Sequence, residues 1–139
     1  MGQKAVFILE EVEPQLIDKS AFSTRKVEIA EPLPGEVWVS AFERPLYEIS
    51  NLGRLRRKKD KTLIQGSIRR DGYITTELLQ GTKTFIHRLV LQSFDPRKDW
   101  EDLTVDHING IRSDNRLENL RWVSMEENTM AMMQHRAEL

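Results

Sequence analysis

The segment 105–128, VDHINGIRSDNRLENLRWVSMEEN, constrains the fold more than any other part of the chain. LTVDHI and LRWVS both have strand composition, and the Asn-Gly pair at 109–110 is a turn signal between them. SMEE is a capping box, with Ser124 at the N-cap and Glu127 at the third helical position. From there MEENTMAMMQHRA runs without glycine or proline. The expected order over 103–136 is therefore strand, loop, strand, helix. If that helix packs across the hairpin, Asn128, in its first turn, comes near Asp106.

Upstream, strand signals dominate from residue 36. EVWVSAF is rich in valine and aromatics, and YEIS-NLG-RLRR reads as strand, turn, strand, with Gly53 tolerating positive φ in the turn. KTLIQGS and DGYITTELL read as further strands, and QGTKTF as a turn at Gly81 followed by one more. HRLVLQSF then changes period: Leu89, Val90 and Phe94 suit a short buried helix ending before DPRKD. The fold class expected is α+β, a small antiparallel sheet region followed by a compact strand–loop–strand–helix core. EPLPGE marks a linker, which divides the chain into 1–34, 35–86 and 87–139. KAVFIL, in the first part, could form a short strand, and no chemistry attaches to 1–34. That part is expected either to cap the domain or to serve as an arm for a protein partner.

Composition narrows the function. Hydrophobic content of 39% and charged content of 31% in 139 residues suit a folded domain. No apolar run approaches a membrane span, and acids follow the N-terminal apolar run at once, so neither a membrane segment nor a signal peptide is expected. Gly2 is followed by Val6 where the myristoylation pattern needs Ser or Thr. The absence of cysteine excludes disulfides and Cys-based zinc sites and fits a cytoplasmic location.

The net charge of −1 conceals an uneven distribution. Residues 35–94 carry 11 basic and 6 acidic side chains, whereas 95–139 carry 6 and 10. Phosphate binding responds to local charge rather than to the total. The densest stretch, 54–70, holds eight Lys/Arg and one Asp. Within it Arg54, Arg56, Arg57, Lys58, Lys59, Arg69 and Arg70 are the expected DNA contacts, set against the alternative of a solvated hairpin.

The residue types in 106–128 suit phosphodiester hydrolysis. Histidine can act as a base near neutral pH. Asp and the amide oxygen of Asn are hard ligands suited to Mg²⁺ or Mn²⁺. A further Asn can bond the far ring nitrogen of a histidine and fix its tautomer. The same asparagines would equally serve loop backbone. Asp106 and His107 are neighbours on a strand, so their side chains point to opposite faces unless the strand end is irregular.

HRLVLQSF…VDHINGIRSDNRLENLRWVSMEEN resembles the HNH endonucleases of the ββα-metal group, in their phage and homing branch. EVWVSAFERPLYEISNLGRLRR resembles the nuclease-associated modular domain that often precedes that core. Together the resemblance covers about 36–130. It implies His107 as general base, Asp106 and Asn128 as ligands of one divalent metal ion, and Asn119 as the residue orienting the histidine. Asn115 falls in a loop-forming position, and Asp114 departs from the commonest residue there. DNA is the implied partner, with 5′-phosphate and 3′-hydroxyl products. The family pattern also has a histidine at the position of His87, which is expected either to bond the neighbouring hairpin or to lie near the phosphates. No helix-turn-helix pattern follows, so loose sequence preference is expected unless 1–34 or a partner adds targeting. The competing expectation is a protein that binds nucleic acid or a host protein on an HNH scaffold without cleavage.

Overall fold

The computed structural model describes residues 6–10 and 25–138. A short hairpin pairs β1 (Val6–Glu10) with β2 (Arg25–Ile29). The first sheet is a meander of β3 (Trp38–Ala41), β4 (Arg44–Ser50), β5 (Leu55–Arg57) and β6 (Leu63–Ile64). The second sheet is β7 (Ser67–Ile68), β8 (Ile74–Leu79) and β9 (Thr82–Phe85). Helix α1 (Ile86–Phe94) follows at once, then the hairpin of β10 (Leu103–His107) and β11 (Leu120–Ser124), then α2 (Met125–Glu138). All named pairings are antiparallel. No helix among the described residues is long and apolar enough to cross a membrane.

The α+β class and the final strand–loop–strand–helix order are as the sequence predicts. The capping box forms in full: Ser124 Oγ accepts from the Glu127 amide at 3.0 Å, and the Ser124 amide donates to Glu127 Oε1 at 3.3 Å. The expected single strand KTLIQGS is instead split at 65–66 into β6 and β7, which belong to different sheets. Gly66 lies so close to Ile74 that a Cβ there would stand 2.5 Å from its Cγ2. That close approach is where the chain passes from one sheet to the other.

Helix α1 ties the molecule together. Its Leu89, Val90 and Leu91 are at most 2% exposed. They form one cluster with Ala41, Ile49 and Leu55 of the first sheet and Val105 and Leu120 of the final hairpin. Burial of this kind contributes about 1.5–3 kcal/mol per side chain. The expected divide between 86 and 87 therefore falls inside α1 and inside a shared core. The boundary near 34 is crossed as well: Ile29 bridges Thr62, and the Ala30 amide donates to the Lys61 carbonyl at 2.8 Å. The end of β2 thus meets the edge of the first sheet at a single bridge beside β6, while remaining in its own two-stranded sheet. Residues 1–5 and 11–24, which make up much of the segment expected as an arm for a protein partner, lie outside the described residues.

Candidate active site

His107 ends β10 with its ring buried, 6% exposed. Its Nε2 lies 2.9 Å from Asn115 Oδ1. A carbonyl oxygen only accepts, so in this orientation the ring proton sits on Nε2 and the Nδ1 lone pair is left open. The rings of Tyr73 and His87 stand 6.0 and 5.2 Å from that of His107. Asp106, one residue earlier, takes a different direction: its Oδ2 accepts from Arg121 Nε at 2.8 Å across the hairpin, where the two residues are register partners. The opposite-face rule for strand neighbours therefore holds, and the two side chains do not converge on each other.

Asn119 and Asn115 exchange the parts expected of them. Asn119 does not touch the imidazole. Its Nδ2 donates to Asn109 Oδ1 and to the Asp114 carbonyl, and its Oδ1 accepts from the Asn109 amide. A single turn of 3₁₀ helix over Leu117–Asn119 directs this carboxamide into the mouth of the loop, leaving Asn115 to face the ring. Asn119 still positions His107 through the backbone, because its carbonyl accepts from the Ile108 amide at 2.8 Å. Asp114 adds rigidity, bonding Arg116 and Asn109. The Arg116 bond holds the Asp114 carboxyl well below the usual carboxylate range.

Asn128 occupies the fourth position of α2, set there by the Ser124 cap. Helix α2 packs against both β10 and β11. The Asn128 carboxamide is half-buried and makes no hydrogen bond to a described residue. Asp106 keeps Oδ1 without a described partner. Two hard oxygen donors flanking one hairpin, each with a vacant lone pair, suit a divalent cation by donor chemistry. Among the described residues no group of three or more His, Cys, Asp and Glu gathers to hold a metal ion, here or elsewhere, so this site offers one carboxylate and one carboxamide.

His87 is buried on α1 and stacks within 5.0 Å of Tyr73 and 5.5 Å of Phe85, ring to ring. Burial above all, with the His107 and Arg88 charges adding, pushes its pKa down to about 3 from 6.5. The folded state thus keeps His87 neutral where the unfolded chain takes up a proton. Stability is fully present above about 6.5 and is lost as pH falls toward 3, by roughly 1.4 kcal/mol per pH unit in that window. His87→Gln is expected to flatten this acid limb, whatever it does at pH 7. Urea midpoints measured from pH 7 to pH 4 read the slope, and an unchanged slope would contradict the assignment.

The basic stretch is only partly free. Arg54 forms a forked pair with Glu36 and donates to the Glu31 carbonyl. Arg56 pairs with Glu48 across the strand and lies 3.8 Å over the Trp38 ring. Arg57 pairs with Asp60, and Arg69 with Asp71. Expectation and structure therefore part at Arg54 and Arg56, whose guanidinium groups hold the sheet together. Among the described residues the Lys58 ammonium bonds only a neutral hydroxyl, Ser40 Oγ, and Lys59 and Arg70 are exposed.

Three participants left little or no mark in the sequence. Tyr73 packs on both histidines, Arg112 stacks 4.9 Å over Tyr73 and donates to the Asp71 carbonyl, and Arg121 pairs with Asp106. Only Arg121 left a signal, since aligning the two strands about the turn places it opposite Asp106.

The hairpin carries a buried histidine and an aspartate paired across the strands, and the capped helix packed on it carries an asparagine. Residues 84–130 match the HNH endonuclease model, and residues 36–78 match the NUMOD4 motif. An HNH endonuclease of Acanthamoeba polyphaga mimivirus is 38% identical over 111 residues, 76% of this chain and 26% of that protein. DNA endonuclease I-HmuI of Bacillus phage SP01 is 37% identical over 90 residues, 63% of this chain and 51% of that protein. The solved structure of the homing endonuclease I-HmuI, described as showing DNA binding and cleavage, superposes with a TM-score of 0.64 at 30% identity. It covers 74% of this chain and 60% of that one. The chain thus spans about a quarter to a half of these curated relatives.

Proposed function

We propose that this protein is a metal-dependent DNA endonuclease of the homing type, cleaving phosphodiester bonds with His107 as general base. The observation that carries the reading is the His107–Asn115 bond, which holds the imidazole with Nδ1 available to take a proton from water. Asn119 and Asp114 fix the loop that presents the ring. DNA as substrate rests on the likeness to I-HmuI.

HNH endonucleases generally use a divalent metal ion. Asp106 and Asn128 are the residues that would hold it here, with Mg²⁺ or Mn²⁺ as the ion. Bound there, it would supply positive charge to the scissile phosphate and the departing 3′ oxygen. Arg121, bonded to the other carboxylate oxygen, keeps Asp106 in one rotamer.

The DNA grip is assigned to Lys58, Lys59 and Arg70, with Arg57 and Arg69 contributing less because each shares its charge with an aspartate. Charge reversal at Lys58, Lys59 and Arg70 is expected to weaken DNA binding and to lower the slope of log affinity against log salt by nearly one for each phosphate ion pair removed. Arg56→Gln should lower the melting temperature and leave that slope alone. Binding titrations at four salt concentrations separate the two, and an unaltered slope in the triple variant would remove this strip from the interface.

A supercoiled-plasmid assay tests the function itself. Relaxed or linear product is expected with Mg²⁺ or Mn²⁺ and none with chelator. Retarded DNA without strand scission under every metal tried would identify a binding protein on an HNH scaffold instead.

A further inference from the structure

The turn at residues 50–53 belongs to the NUMOD4 motif, yet it sits against the catalytic loop. The Asn51 carbonyl accepts from the Leu117 amide at 2.8 Å. Gly53, at φ +85°, approaches Asn115 so closely that a Cβ would stand 2.9 Å from its carbonyl oxygen and 3.1 Å from its own Cβ. Asn115 is in turn the residue that bonds the His107 ring.

The turn itself is braced. Ser50, fully buried, receives the Leu52 and Arg54 amides on its Oγ. Asn51 holds the 35–37 segment from both sides, its Oδ1 accepting from the Val37 amide and its Nδ2 donating to the Gly35 carbonyl. A rigid turn in van der Waals contact with Asn115 fixes where that carboxamide can lie, and so which ring nitrogen of His107 carries the proton.

We infer that Gly53 is a positioning residue for His107, acting through Asn115, so that the NUMOD4 turn sets the tautomer of the catalytic base. The inference rests on the reading of His107 as base for its consequence in catalysis, but not for the coupling itself. It makes the motif part of the catalytic scaffold as well as a means of holding DNA. Glycine is required for two separable reasons, the positive φ and the missing Cβ. Asparagine tolerates left-handed backbone better than other side chains and brings a Cβ, so Gly53→Asn isolates the contact. Gly35 is the matched control: φ is +75° there, and a Cβ added to it would meet no atom within 4 Å.

The test is ¹⁵N NMR of the histidine ring nitrogens in the full chain at alkaline pH, without DNA or metal. Wild type and Gly35→Asn are expected to show His107 with its proton on Nε2. Gly53→Asn and Asn115→Ala should show a mixture or the other tautomer. In cleavage, kcat should fall roughly ten- to a hundred-fold for both, with KM for DNA nearly unchanged. Should Gly53→Asn not fold, a second comparison still answers: the Gly53 amide shift should move in His107→Gln, and that response should vanish when Asn115 is alanine. A wild-type tautomer in Gly53→Asn, an equal change in Gly35→Asn, or a Gly53 amide blind to His107 would overturn the inference. Coupling seen in a chain that never cuts DNA would overturn the nuclease reading alone.

Discussion

His107→Ala is expected to reduce metal-dependent nicking by about 10²–10⁴-fold, the usual contribution of a positioned general base. DNA binding should survive, since the ring is buried and the assigned phosphate contacts lie on the 58–70 strip. The substitution opens space beside Tyr73 and His87, so some loss of stability will accompany it. His107→Gln is the better-filled comparison, and both variants should bind DNA with wild-type salt dependence. Single-turnover cleavage under saturating protein separates a lost base from weakened binding. A variant that keeps more than a tenth of the wild-type rate would remove His107 from the chemistry.

The second large effect is expected at the two oxygen donors, and it should be unequal. Asp106 supplies the only carboxylate of the pair, and its removal leaves the Arg121 guanidinium unopposed beside the site. Two terms then act against a cation, a lost anionic ligand and an exposed like charge. Asn128 is a neutral donor whose place water can take. Asp106→Ala should therefore lose cleavage by at least about 100-fold at every accessible Mn²⁺ concentration. Asn128→Ala should lose a comparable amount at low Mn²⁺ and recover part of it as the ion is raised. Mn²⁺ binding followed by electron paramagnetic resonance, with no DNA present, should rank wild type above Asn128→Ala and Asn128→Ala above Asp106→Ala. Equal Mn²⁺ affinity in all three would place the ion elsewhere.

Much of this was legible in the sequence because local signals carried it. Ser124 and Glu127 announce the helix start, and the reciprocal bonds form. Asn109-Gly110 turns where expected, with Gly110 at φ +77° and its amide bonded to the His107 carbonyl. What stayed hidden depended on distant partners. Arg54 and Arg56 look like free cations until Glu36 and Glu48, 18 and 8 residues away, take them up. Asn115 and Asn119 are the same residue type in one loop, and spacing cannot say which faces the ring. The 3₁₀ turn at Leu117–Asn119 decides it. The split of KTLIQGS depended on the close approach of Gly66 to Ile74, a contact that composition does not register. A tyrosine in a strand-rich stretch is ordinary, and Tyr73 takes its meaning only from His87 and His107, which it packs against.

The most direct test of the central claim is cleavage of a mixed-sequence DNA library with Mg²⁺ or Mn²⁺, followed by mapping of the ends. Metal-dependent breaks bearing 5′-phosphate and 3′-hydroxyl groups are expected, absent from the His107→Ala reaction. Ends no more frequent than in that variant, or breaks that persist in chelator, would contradict that claim.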